Sequence, residues 1–179
     1  MEVATIDRSK EWTVEDYLQL DEGLLAQLID GNLIMSPAPT TKHQRVSREL
    51  LLLLDNQLIG EVFFSPIDLY INERNVLQPD LVYISEEKKE IVTERGIEGV
   101  PDLIVEVISP SNSFIDRNTK RKKYLDFGVK EYWIVDPANE TLEIYTPKDQ
   151  DTPRLYLIKS GEVNSIVSSK LSFDLKKIF

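Results

Sequence analysis

The sequence predicts an α/β fold, on three observations. The runs QPDLVYI (78–84), DLIVEVIS (102–109) and KEYWIVD (130–136) have the length and β-branched content of buried strands. Segments 40–58 and 113–127 carry apolar residues at the three-four spacing of helices packed on a core. Turn residues separate the two kinds of element throughout. With 179 residues and 41% apolar composition, the chain can bury a sizeable core, and one domain over 1–179, with its core at 13–179, is expected.

Composition narrows the function classes. No apolar run approaches the roughly 20 residues that span a bilayer, and the opening MEVATIDRSKEW has no apolar segment behind a basic one. A soluble, cytoplasmic protein without a membrane partner is expected. The absence of cysteine excludes a disulfide framework, a thiolate zinc site and a catalytic cysteine. A net charge of -10 opposes nonspecific attraction to nucleic acid. Against it stands one dense basic cluster, Arg117, Lys120, Arg121, Lys122 and Lys123. Arg117, Arg121 and Lys122 are the candidates for touching a polyanionic substrate; a solvated helix face is the other reading.

In chain order, Thr13 is the N-cap of a helix running to residue 20, with Glu15 and Asp16 in its first turn and Tyr17, Leu18 and Leu20 docking it. LLAQLIDGNLIMS (24–36) is a hairpin about Asp30-Gly31, ended by Pro37 and Pro39. Segment 40–58 is a helix whose stripe comprises His43, Val46, Leu50, Leu54 and Gln57. His43, the single histidine, suits a supporting donor in the core better than a direct catalytic role. Residues 61–71 alternate as one interior strand; Asp68 shares the phase of Phe64 and faces either the site or a solvent edge. Residues 73–75 turn into a strand over 76–84. The charged stretch 86–98 gives a short helix and an exposed loop that covers or flanks a site. Strand 102–109 ends at Pro110-Ser111; Ser113 caps a helix to Phe127, and Gly128 follows in the left-handed region. Strands 130–136 and 141–146 pair antiparallel, 154–158 and 162–167 form a last hairpin, and LSFDLKKIF packs as a cover.

Asp80 and Glu106 carry the chemistry. Each is an acid inside an apolar strand, and burying a bare carboxylate is costly unless a cation offsets it. Asp102 shares the face of Glu106 but stands about 13 Å away along the strand, too far for one ion. Asp80, on a neighbouring strand roughly 5 Å away, can converge with Glu106, and the carbonyl of Val107 is a further oxygen ligand. On a helical wheel Lys120 falls on the buried side with Tyr124 and Phe127, and Asp116, Lys120 and Tyr124 stack at spacing four. A lysine snorkelling past aromatics and paired with Asp116 is the structural alternative. With a magnesium-type ion on the two acids and the lysine stabilising charge on phosphorus, the chemistry is metal-assisted phosphodiester hydrolysis.

The ordered set LIDG, SPAPTTKH, QPDLVYI, PDLIVEVISPS, D-x3-K-x3-Y, GVKEYWIVDP and FDLKKIF resembles the Uma-type restriction endonuclease family of the PD-(D/E)xK nuclease superfamily, over residues 13–179. The resemblance implies a restriction-endonuclease-like core: a mixed central sheet flanked by helices, with hairpin additions at both ends. It also implies a Mg2+ (or Mn2+) dependent nuclease acting on nucleic acid, DNA in the first instance, with a homodimer suited to two-strand cleavage. Asp80 and Glu106 take the two acid positions. The lysine expected at position 108 is replaced by Ile108, and Lys120 on the following helix takes its place. Gln27 stands where the family often has a glutamate, which bears on metal affinity. Two other readings follow: a nuclease-fold binding or assembly module without catalysis, and a phosphohydrolase of small nucleotides.

Overall fold

A computed structural model describes residues 10–21, 23–109 and 113–179. Helix α1 (Val14–Tyr17) is held by a capping box, Thr13 Oγ1 accepting from the Asp16 amide and the Asp16 carboxylate from the Thr13 amide. It is shorter than expected: Tyr17 is buried, but Leu18 is exposed. Strands β1 (Ala26–Ile29) and β2 (Asn32–Met35) form the expected hairpin. Asp30 and Gly31 both adopt the positive φ, 52° and 76°, that a two-residue turn requires. Helix α2 (Thr41–Gln57) starts at Thr40, whose side chain accepts from the His43 amide, and it buries His43, Val46, Leu50 and Leu54.

The expected strand over 61–71 is two strands in different sheets, β3 (Gly60–Phe64) and β4 (Leu69–Asn72), separated by Ser65-Pro66. Proline cannot donate to a ladder, and the chain leaves the first sheet there. β3 is an edge strand rather than an interior one. Likewise 76–84 divides into β5 (Asn75–Leu77) and β6 (Leu81–Ser85), with Gln78, Pro79 and Asp80 crossing between the sheets. Residues Glu86–Ile91 form a 3-10 helix, and β7 (Val92–Thr93) and β8 (Gly96–Ile97) a small hairpin in the second sheet. Gly96 and Ile97 are buried, so this stretch extends the sheet instead of forming an exposed loop.

β9 (Leu103–Val107) follows. Pro110 and Ser111, expected to end it, and residues 1–9 lie outside the described residues. Ser113 already lies within the helical run, so it is not the expected cap. The run passes through a wide π-type stretch, Ile115–Lys120, into α3 (Arg121–Phe127), closed by Gly128 at φ 103°. β10 (Glu131–Asp136), β11 (Thr141–Tyr145) and β12 (Leu155–Ile158) form an antiparallel meander. The C-terminal hairpin pairs β13 (Glu162–Asn164) with β14 (Ser172–Asp174), not with β12 as expected. A 3-10 turn at Leu175–Lys177 follows.

The first sheet has the order β12-β11-β10-β9-β6-β3 and is mixed, with β9 and β10 parallel and the other pairs antiparallel. One face packs on α2 through Val46, Leu50 and Leu54 and on the C-terminal cover through Val163, Phe173 and Leu175. The other face packs on α3 through Tyr124 and Leu125 and on the second sheet (β2-β1-β5-β4-β8-β7) through Leu69, Leu77 and Ile97. Alternate residues of each central strand serve opposite faces, which is why these runs are apolar throughout. Among the described residues no helix is long and apolar enough to cross a membrane.

Buried acids outside the candidate site are fastened to the frame. Asp102, fully buried, lies 2.7 Å from Lys130 Nζ and 3.1 Å from Lys88 Nζ and accepts from the Ser85 amide. Burial pushes its carboxyl up, but Lys130, Ser85 and Lys88 outweigh that and hold it at about 2. Because the unfolded value is about 3.9, this group adds stability that is complete above about pH 4 and lost as pH falls toward 2. Asp102→Asn should therefore lower the unfolding free energy by about 2 kcal/mol at pH 7. In urea titrations the gap from the unmodified protein should narrow below about pH 4. A gap that stays constant down to pH 3 contradicts this assignment.

Candidate active site

The crossing at Gln78-Pro79-Asp80 and the register of β6 on β9 bring two acids together. Leu81 is opposite Val105, so Asp80, one step earlier, faces the position of Glu106. Both belong to the phase of Val82 and Ile104, the face toward α3. Asp80 Oδ2 accepts a 2.7 Å hydrogen bond from the Val107 amide and lies 3.1 Å from His43 Nε2. Ser47 Oγ approaches His43 Nδ1 at 3.4 Å.

Glu106 Oε1 accepts from Lys120 Nζ at 2.8 Å and from the Tyr124 hydroxyl at 2.9 Å. Lys120 Nζ also lies 3.5 Å from Asp116 Oδ1. Glu106, Asp116 and Lys120 are each less than 5% exposed. Asp116 and Lys120 sit in the wide π-type stretch, a distortion that often marks functional sites.

Burial pushes the Glu106 carboxyl up; Lys120 pulls it back, while Asp116 and Asp80 push it further up. Asp116 is likewise raised, by burial first and by Asp80 against the pull of Lys120. Lys120 is held above its ordinary value, because Glu106 and Asp116 outweigh the effect of burial. His43 is also raised: burial lowers it, and the hydrogen bond and charge of Asp80 more than compensate. These directions agree. Glu106 and Asp116 share one lysine, with Asp80 and His43 beside them, and the crowding of acids favours uptake of positive charge, as protons or as a cation.

The cluster forms one wall of a cavity of about 360 Å³. Val107 and His43 border it beside Asp80, and the segment Ser36 to Thr40 forms another wall. Gln27 lines it with its amide fixed: Oε1 accepts from the Gln78 amide at 3.0 Å and Nε2 donates to Ser36 Oγ at 3.1 Å. Other expected site residues lie elsewhere. Asp68 faces a separate cavity, where its Oδ1 accepts from the Tyr17 hydroxyl and Gln78 Nε2, both at 2.9 Å. Arg117 is engaged by Asp136 and Glu143, Arg121 stacks 4.8 Å over the Tyr145 ring, and Lys122 pairs with Asp126 at the surface. Sequence reasoning missed Ser36, Thr40, Ser65 and Gln78 as lining residues. The proline-rich SPAPT segment abutting a helix N-cap was the available signal for the first two.

The donor set fits a magnesium-type ion: the carboxylates of Asp80 and Glu106 and the Val107 carbonyl are hard oxygens beside excess negative charge. Among the described residues no group of three or more His, Asp or Glu side chains closes into a metal cage. Two acids and a peptide oxygen leave positions for water and phosphate, as magnesium sites do.

Comparison with known proteins adds an independent line. The model of the Uma2 family, described as "Putative restriction endonuclease", matches residues 14–176. The uncharacterized protein sll1609 of Synechocystis sp. is 31% identical over 152 residues, covering 81% of this chain and 84% of its own. A second Synechocystis protein, slr1290, is 25% identical over 172 residues, covering 92% and 90%. The crystal structure of a "putative nuclease belonging to DUF820" from Anabaena variabilis has a similar fold, with a TM-score of 0.75 at 21% identity. That match covers 93% of this chain and 97% of the other.

Burial of the lysine between two acids has a consequence for stability. Lys120→Met leaves Glu106 and Asp116 without their cation and should cost about 3–5 kcal/mol in urea unfolding. Adding Glu106→Gln should recover a large part of the loss. Independent, additive effects of the two substitutions would contradict a shared charge cluster.

Proposed function

The chain belongs to the Uma2 family, and from that membership and the Asp80–Glu106–Lys120 cluster we propose that it is a magnesium-dependent endonuclease hydrolysing phosphodiester bonds of DNA. The observation that carries the reading is a buried lysine bonded to a buried carboxylate, with a second carboxylate opposite on the adjoining strand, at the wall of an open cavity.

Asp80, Glu106 and the Val107 carbonyl would hold the ion. When bound, magnesium or manganese polarises the phosphate and lowers the pKa of water. Lys120 keeps its proton, because Glu106 and Asp116 raise its pKa, so it serves as a fixed positive charge rather than a general base. It stabilises the charge that develops on the phosphate oxygens in the transition state. Tyr124 holds Glu106, and His43 and the Val107 amide hold Asp80, so both acids are positioned before substrate arrives. Double-strand cleavage by this site would take two copies acting together.

A second reading, a nuclease-fold binding or assembly module, is favoured by Gln27, whose neutral amide is committed to Gln78 and Ser36. Calorimetric titration with magnesium or manganese separates the two. The enzyme reading expects millimolar or tighter binding that is lost in Asp80→Ala and Glu106→Ala. Lys120→Met should retain the metal while plasmid cleavage falls about 100-fold or more. No metal binding by the unmodified protein sinks the enzyme reading and leaves the module. Release of phosphate from small nucleotides with plasmid left intact would instead point to a nucleotide phosphohydrolase.

A further inference from the structure

We infer that a groove beside the candidate active site takes an unpaired nucleotide of a nucleic-acid strand, its base against Phe64 and its phosphate at Arg45 and Arg48. The inference rests on the endonuclease reading and adds that the strand is unpaired beside the site, as in a single strand or a locally opened stretch of duplex. Phe64 closes edge strand β3 and is 61% exposed. With Leu51, Arg45 and Arg48 of α2 it borders a groove of about 360 Å³. Gln44 borders both this groove and the active-site cavity, and Ser65, next to Phe64, also borders the cavity. A strand lying over Asp80 and Glu106 therefore continues directly onto Phe64.

Charge favours a polyanion here. In the basic cluster of 117–123, Arg117, Lys120 and Lys123 are held in ion pairs with other elements, Arg121 stacks over the Tyr145 ring, and Lys122 pairs with Asp126 at the surface. Among the described residues Arg45 makes no ion pair, and Arg48 pairs only with its neighbour Glu49 at the surface. In a chain of net charge -10, Arg45 is a cation left available beside the cavity, and Arg48 is held only by an exposed pair. An exposed aromatic ring flanked by arginines is the stacking-and-phosphate chemistry that binds single strands. In a duplex the bases are already stacked on one another and cannot reach Phe64.

Fluorescence anisotropy with a labelled single-stranded oligonucleotide and its duplex, in calcium buffer, tests this without turnover, so its outcome is separate from that of the cleavage assay. The unmodified protein should bind the single strand more tightly. Phe64→Leu should weaken that binding about tenfold, Phe64→Trp should preserve it, and Arg45→Gln should weaken it with a shallower salt dependence. Urea midpoints establish that each variant is folded. Unchanged binding in Phe64→Leu, or equal losses for strand and duplex, overturns the inference. So does conversion of a dimer to monomers by Phe64→Leu in sedimentation velocity, which would assign the face to a second copy of the chain.

Discussion

The rest of the structure depends on one electrostatic constraint: two acids and one lysine are buried together where β6 and β9 meet α3, with a third, half-buried acid, Asp80, beside them. Desolvation alone would drive Glu106 and Asp116 to hold protons and Lys120 to lose one. The lysine opposes this for the acids only in part, because the acids repel one another and both stay raised, while Glu106 and Asp116 together keep the lysine protonated. The supporting groups follow from the same constraint. The Tyr124 hydroxyl donates to Glu106, the Val107 amide donates to Asp80, and His43 lies within hydrogen-bond distance of Asp80. The Tyr124 hydroxyl joins Lys120 on Glu106 Oε1, and the Val107 amide and His43 share Asp80 Oδ2, so each carboxylate is held from two sides.

The architecture is arranged to deliver those groups. Two sheets lie on one another, and the chain passes between them at Ser65-Pro66 and again at Gln78-Pro79-Asp80. The second crossing places Asp80 at the mouth of β6, on the face of Glu106. Gln27 on β1 fastens the crossing by accepting from the Gln78 amide, so the N-terminal hairpin also forms part of the cavity wall. α2 approaches from the opposite face of the sheet and contributes His43 at its first turn, just inside the Thr40 cap.

Much of this was legible in the residues. Asp30-Gly31 fixed the first hairpin, the three-four stripe fixed α2, and helical spacing aimed Lys120 inward although the local winding is wider than an α-helix. What escaped were features set by partners distant in sequence. The alternation over 61–71 looks the same whether one sheet or two receives it, and only the passage at Pro66 separates them. Asp68 shares the phase of Phe64, yet after that passage it serves a different cavity, with Tyr17 and Gln78. The basic cluster looked like a polyanion surface because Asp136, Glu143 and Asp30, which neutralise it, come from other elements. The Ser36 to Thr40 wall carries no charged or periodic signal, only prolines beside a helix cap, and that it faces the acids follows from the placement of the hairpin and α2.

The central claim is that the negative charge left over after Lys120 is paired is matched by a divalent cation between two acids on adjoining strands. Anomalous diffraction from crystals soaked in manganese addresses it most directly. The expected result is one strong peak within bonding distance of both the Asp80 and Glu106 carboxylates, with the Val107 carbonyl as a third oxygen. A map with no peak between these side chains, at manganese concentrations that saturate other exposed carboxylates, would contradict it.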